Sequence, residues 1–209
     1  MANSKIIIVE GAQGAGKTTV TDFIRYSMPY TNLYRLCGTS DASSTGLAKS
    51  TKMYKDLQDY IKTLENLNIN LLFDRTFFTE EVYCRLGYKD YNFTEVYKEL
   101  LKKLANMDFD IYYITLYLED EKLFSERLKR KDKATTEYAK FEAEKSIQQQ
   151  RMYLKLADEI LEEYPKIKVC KIENGRDFEQ TKQELNSILF WWAEKRIWCS
   201  GDKNITNRK

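Results

Sequence analysis

The sequence predicts a three-layer α/β/α fold built on a five-stranded parallel sheet, with a small helical lid. Three observations predict it. Short apolar runs of strand character alternate with longer segments whose apolar residues recur every three or four positions, the pattern of a parallel sheet covered on both faces. Only 8 Gly and 2 Pro fall among 209 residues, too few for the turns of a sandwich or barrel. Hydrophobic residues make up 43% and aromatics 13%, enough for one sizeable core.

Lys5–Glu10 is a β-branched apolar run ending in Gly, a buried strand. Residues 17–28 carry Val20, Phe23 and Ile24 at helical spacing and stop at Pro29. Asn32–Cys37 reads as the second strand. Residues 38–47 are rich in Gly, Ser and Thr and read as a loop. Met53, Leu57, Tyr60, Ile61 and Leu64 mark a helix over 48–66. Asn70–Asp74 is the third strand, Thr76–Leu86 and Thr94–Asn106 are helices, and Asp110–Leu118 is the strongest strand of the chain. Helices fit 120–130 and roughly 137–163, ended by Pro165. Lys168–Ile172 is the last strand and 177–196 the last helix. We expect one domain over 1–196, a lid at about 125–140 and a polar tail at 197–209.

Composition excludes several functions. Lys plus Arg is 34 against 32 Asp plus Glu, a net charge of +2, so bulk attraction to nucleic acid is not expected. There is no histidine, which removes imidazole bases and imidazole metal ligands. Cys37, Cys84, Cys170 and Cys199 form no CxxC, so a reducing, cytoplasmic setting is expected, not a zinc site or disulfide framework. Neither the N-terminal run nor Ile188–Ala193 is long enough for a signal peptide or a membrane span.

The chemistry is announced at residues 11–18. Gly11, Ala12, Gln13, Gly14, Ala15, Gly16, Lys17 and Thr18 fit GxxxxGK[ST], directly after a strand and opening a helix. Glycines let successive amides point inward, and the helix N-terminus adds positive potential. Lys17 reaches β- and γ-phosphates, and the Thr18 hydroxyl ligates Mg²⁺. This P-loop implies ATP or GTP binding. No NKxD-type segment supports a GTPase. The third strand ends instead in Asp74-Arg75, an acid for the Mg²⁺ shell and a guanidinium that forks onto an anionic acceptor.

On these residues the sequence resembles the thymidylate kinase family of nucleoside monophosphate kinases, with the deoxynucleoside kinases as near relatives. Glu10–Thr19 is similar to the family's opening segment. Arg35-Leu-Cys-Gly38-Thr39 looks like a shortened form of its Arg-Glu-Pro-Gly-Gly-Thr. Asp74-Arg75-Thr76 stands where the family has Asp-Arg-Tyr, followed by a helix with Thr79 and Tyr83. Arg127 and Arg130 hold the lid position, and Arg151–Ala157 looks like its Arg-x-x-Tyr-x-x-Leu-Ala stretch.

The resemblance implies roles. ATP would bind at Gly11–Thr19 and near Arg176. Lys17, Arg75, Arg127 and Arg130 would be catalytic. Thr18 and Asp74 would organise Mg²⁺. Arg35, Arg75, Phe77, Phe78 and Tyr83 would bind substrate, the aromatics as a flat wall for a base; adjacent residues diverge by about 100° on a helix, so only one of Phe77 and Phe78 is expected to face the base and the other the core. A homodimer through helices on one side of the sheet is also implied.

The departures are Gln13, where relatives carry Asp or Arg, and Leu36-Cys37, where they carry Glu-Pro. A nucleoside hydroxyl acceptor gains from a carboxylate beside it; the resemblance to deoxynucleoside kinases implies a Glu just after the second strand, and this chain has none there before Asp41. A phosphate acceptor needs only positioning and neutralisation. The expected function is therefore ATP- and Mg²⁺-dependent transfer to a deoxynucleoside monophosphate. Alternatives are a nucleoside kinase, a polynucleotide 5′-hydroxyl kinase, or a nucleotide-binding protein without turnover.

Overall fold

The central strand β1 (Lys5–Gly11) is buried along nearly its whole length, because Ile6, Ile7, Ile8 and Val9 place apolar side chains on both faces. A strand with two apolar faces needs cover on both, and the following elements supply it. The computed structural model describes residues 4–129 and 143–200, with side chains through 189. In it β1 is followed by α1 (Lys17–Ser27), β2 (Thr31–Arg35), α2 (Ser44–Thr63), β3 (Asn70–Asp74), α3 (Phe77–Arg85), α4 (Thr94–Ala105), β4 (Asp110–Tyr117), α5 (Lys122–Leu128), α6 (Ala143–Glu163), β5 (Lys168–Glu173) and α7 (Phe178–Ser200).

The five strands pair in parallel in the order β2-β3-β1-β4-β5. Placing β1 between β3 and β4 brings the ends of three central strands together, where ligands of open α/β sheets bind. The predicted fold class, a five-stranded parallel α/β/α sheet, is the observed one. The chain divides into two compact units, Met1–Gly175 with the whole sheet, and Arg176–Lys209 with α7.

Several boundaries differ from expectation; α2 ends at Thr63, not 66, and α7 runs on to Ser200, past 196 and into the segment read as a polar tail. Helix α2 begins at Ser44, inside the segment read as a loop. The cause is Asp41, whose carboxylate accepts from the Ser43 amide (3.0 Å), the Ser43 and Thr45 hydroxyls (2.6 and 2.7 Å) and Lys49 Nζ (2.6 Å). Those bonds hold the first turn, so Ser and Thr here start a helix. Strand β2 ends at Arg35, two residues early, although the Leu36 amide still reaches the Asp74 carbonyl (3.1 Å).

The core on one side of the sheet joins β1, β3 and β4 to α2, α3, α4 and α6 through Phe73, Phe78, Phe93, Leu101, Tyr113, Leu156 and their neighbours. Gln150 clamps α6 to the end of β4, accepting from the Leu118 amide (2.7 Å) and donating to its carbonyl (3.0 Å).

At Gly11 the chain leaves β1 at φ 145°, and a Cβ there would lie 2.7 Å from the Leu116 carbonyl oxygen of β4. Only glycine fits, because both the backbone conformation and the neighbouring strand exclude a side chain. Gly11→Ala is expected to destabilise the protein by at least about 2 kcal/mol. Urea unfolding midpoints for the two proteins check this.

Candidate active site

The cradle is the turn from β1 into α1. Gly11, Gly14 and Gly16 take positive φ values of 145°, 85° and 92°. The loop is braced from three elements. Gln149 of α6 accepts from the Gln13 amide (3.1 Å), and Asn174 beyond β5 donates to the Ala15 carbonyl (2.7 Å). Arg127 of α5 donates to the carbonyls of Gly14 (3.3 Å), Asn174 (2.8 Å) and Gly175 (2.6 Å). Lys17 is buried, its Nζ on the carbonyls of Gly11 (2.7 Å) and Ala12 (2.8 Å). A cationic head held inside a ring of loop backbone suits a polyphosphate.

Beside it, Thr18 Oγ1 lies 3.5 Å from Asp74 Oδ2 at the end of β3. A hydroxyl and a carboxylate converging next to a phosphate cradle fit Mg²⁺, which is usually held by one or two carboxylates, phosphate oxygens and water. No all-protein cage of three or more acidic or cysteine groups occurs among the described residues. Arg35 joins this side of the site, paired with Asp22 and 3.9 Å from Asp74.

Arg75 follows directly. Its φ is 73°, a left-handed backbone that costs a non-glycine residue on the order of 1–3 kcal/mol. Its guanidinium has no hydrogen-bond or ion-pair partner among the described residues. Burial works against its charge, and Tyr153, Tyr83, Glu10 and Asp74 around it outweigh burial, so its pKa stands above the usual arginine value. A strained, half-buried cation without a direct partner among the described residues suits an anion.

Behind it lies Glu10, fully buried. Its Oε1 accepts from the Thr76 amide (2.7 Å) and its Oε2 from the Thr79 hydroxyl (2.7 Å), which lies 2.9 Å from Tyr153 Oη. Burial pushes the carboxyl up to about 7, against the opposing pull of Thr79, Thr76, Lys17 and Arg75.

No protein-family model matches the chain, and no curated protein sequence matches it. Solved structures do. Thymidylate kinase from Candida albicans superposes with a TM-score of 0.64 at 16% identity, over 90% of this chain and 92% of that one. Deoxyadenosine kinase from M. mycoides, with the products dCMP and a flexible dCDP bound, gives 0.54 at 20% identity over 88% and 97%. Thymidylate kinase from Ehrlichia chaffeensis gives 0.52 at 15% over 84% and 89%. The fold is that of the thymidylate and deoxynucleoside kinases. No described helix is long and apolar enough to cross a membrane.

Within this kinase fold the sequence-predicted residues sort clearly. Gly11–Thr18, Asp74, Arg75 and Arg127 gather at one end of the sheet, with Thr19 exposed on the first turn of α1. Tyr83 is near Arg75 and stacks edge-on against Tyr88. Phe77 and Phe78 correct the expectation of a base wall. They stack on each other at 4.3 Å and are 3% and 0% exposed, packed against Tyr54, Tyr97 and Tyr113. The first turn of α3 is pulled onto the sheet by the Glu10–Thr76 bond, which carries both rings into the core. Arg130 and the rest of the lid segment lie outside the described residues. Arg176 opens the second unit.

Sequence reasoning missed Glu10 as a site residue, and also Glu80. That glutamate is 1% exposed on α3, accepts from the Tyr91 hydroxyl, and lies 3.4 Å from Lys89 Nζ. A Cβ on Gly38 would sit 2.5 Å from its Oε2. A carboxylate therefore does stand beside the chain after β2, supplied by α3. Two adjacent glutamates between Phe77-Phe78 and Val82 of a nine-residue helix were the available signal.

Because folding raises the Glu10 carboxyl from 4.5 to about 7, the native state keeps a proton that the unfolded chain sheds between those values. The stability this contributes is complete below about 4.5 and is lost as pH rises through 7. Glu10→Gln has no such titration. Its stability relative to the parent is expected to improve between pH 5 and pH 8 by on the order of 2–3 kcal/mol. Urea unfolding at the two pH values measures it, and a pH-independent difference would contradict the raised carboxyl.

Proposed function

We propose that this chain is an ATP- and Mg²⁺-dependent nucleotide kinase that phosphorylates a deoxynucleoside monophosphate to the diphosphate. The observation that carries this reading is Arg75, a half-buried guanidinium held in a strained backbone, without a direct partner among the described residues, one strand from the cradle. A monophosphate supplies the anion that such a group binds. A neutral nucleoside does not.

In this reading the cradle amides and Lys17 bind the donor polyphosphate. Mg²⁺ held by Thr18 and Asp74 would neutralise charge on the donor phosphates. Arg75 holds the acceptor phosphate for in-line attack, which requires no general base because the attacking oxygen is already anionic. Arg127 supports the cradle and carries positive charge to its rim. Arg130 and Arg35 are assigned to the same site on sequence resemblance, as is a homodimer; a cytoplasmic setting rests on the scattered cysteines.

A second reading is a deoxynucleoside kinase. Glu80 favours it, since its carboxylate occupies the space after β2 where a hydroxyl acceptor would need a base. The structural neighbours include proteins named for both activities, so the fold does not choose between them.

Purified protein assayed with ATP against all deoxynucleosides and their 5′-monophosphates decides the matter. Turnover of monophosphates is expected; turnover of nucleosides alone would transfer the assignment to the second reading, and ATP binding without any product would make the chain an inert binder. Arg75→Ala is expected to raise the acceptor KM by on the order of a hundredfold while ATP affinity stays within about twofold.

A further inference from the structure

The strained backbone of Arg75 raises the question of what holds it. Two hydrogen bonds do, one on either side. The Arg75 amide donates to the Val9 carbonyl (3.2 Å), and the Thr76 amide donates to Glu10 Oε1 (2.7 Å). The first continues the β1–β3 ladder, whose last register pair is Val9 with Asp74. The second departs from it. β1 runs on as the partner of β4, with Glu10 opposite Thr115, then turns into the cradle at Gly11. For the next amide of the β3 side, a side-chain carboxylate takes the part of the ladder carbonyl. That amide also belongs to the N-cap residue of α3, which has no side-chain cap.

Glu10 is itself fixed. It is 0% exposed, and its second oxygen accepts from Thr79 Oγ1 (2.7 Å), whose hydroxyl meets Tyr153 Oη of α6 at 2.9 Å. The carboxylate thus has one orientation, set from two helices, and spends it on the peptide next to Arg75. A strained residue persists only where its surroundings over-determine it.

We infer that Glu10 is a positioning residue for acceptor binding, holding the Arg75 backbone in its left-handed conformation through the Thr76 amide so that the guanidinium stays at the acceptor anion. The inference rests on the reading of Arg75 as the acceptor-binding group. It assigns the function to the hydrogen-bond acceptor at Oε1. A glutamine, which keeps an oxygen there, should therefore suffice; alanine, or aspartate one methylene shorter, should not.

The test is calorimetric binding to the full chain of a non-hydrolysable ATP analogue, and separately of the deoxynucleoside monophosphate with the fastest turnover. Glu10→Ala is expected to weaken monophosphate binding at least about tenfold and the ATP analogue less than about twofold. Glu10→Gln should keep monophosphate binding within about threefold, and Glu10→Asp should behave as alanine does, which keeps the test alive should the alanine variant not fold. In an Arg75→Ala background, Glu10→Ala should add no further loss. Equal loss of both ligands, unchanged monophosphate binding in the alanine or aspartate variant, or additivity with Arg75→Ala would each overturn the inference. A parent protein that binds the ATP analogue but no monophosphate would instead overturn the acceptor reading, and this inference with it.

Discussion

The grip of β1 on the start of α3 is the constraint on which the site depends. Val9 and Glu10 bind the amides of Arg75 and Thr76 in succession, one by its carbonyl and the other by its side chain. A single residue later, β1 turns into the glycine loop that opens α1. The Gly11–Thr18 loop and Arg75 are therefore two ends of one hydrogen-bonded junction, set by the β2-β3-β1-β4-β5 order that places β1 against β3. Phosphoryl transfer demands little covalent chemistry from a protein and much positioning, which a rigid junction of this kind supplies.

The same junction explains why so much charge is tolerated where water is scarce. Lys17, Glu10 and Asp74 are all buried, and Arg75 is half-buried beside them. A buried ion is costly unless it is bonded or neutralised. Lys17 lies on loop carbonyls, Glu10 on an amide and a hydroxyl, and Asp74 near Thr18 and Arg35. Arg75 alone of these four lacks a direct partner among the described residues. The imbalance falls on the group that a phosphate acceptor would satisfy.

Around the acceptor side, a second buried set complicates the choice of substrate. Lys89 Nζ binds the Thr39 carbonyl (2.6 Å) and lies near Glu80, tying the segment after β2 to α3. An acidic group and a cation are both present there, as either an anionic or a hydroxyl-bearing acceptor would use. The two readings differ in which of Arg75 and Glu80 meets the reacting atoms.

By itself, the sequence determined the alternation of strands and helices, the sheet class and the cradle, because hydrophobic period and Gly-Lys-Thr spacing are local properties of the chain. It also placed Asp74-Arg75 at the end of the third strand, where the structure has Asp74 beside Thr18, since strand ends in a parallel sheet are legible from the apolar run before them. It misjudged the start of α2 and expected one of Phe77 and Phe78 to face a base, where the Asp41 carboxylate network and the distant Glu10 carboxylate overrode local pattern. Only the tertiary structure decided that Glu10 meets Thr76 and Thr79, 66 and 69 residues away, that Arg127 braces a loop 113 residues before it, and that Glu80 fills the space beside Gly38. Such contacts depend on which strands become neighbours and how helices settle on them, and a hydrogen bond between distant segments leaves no periodic trace along the chain.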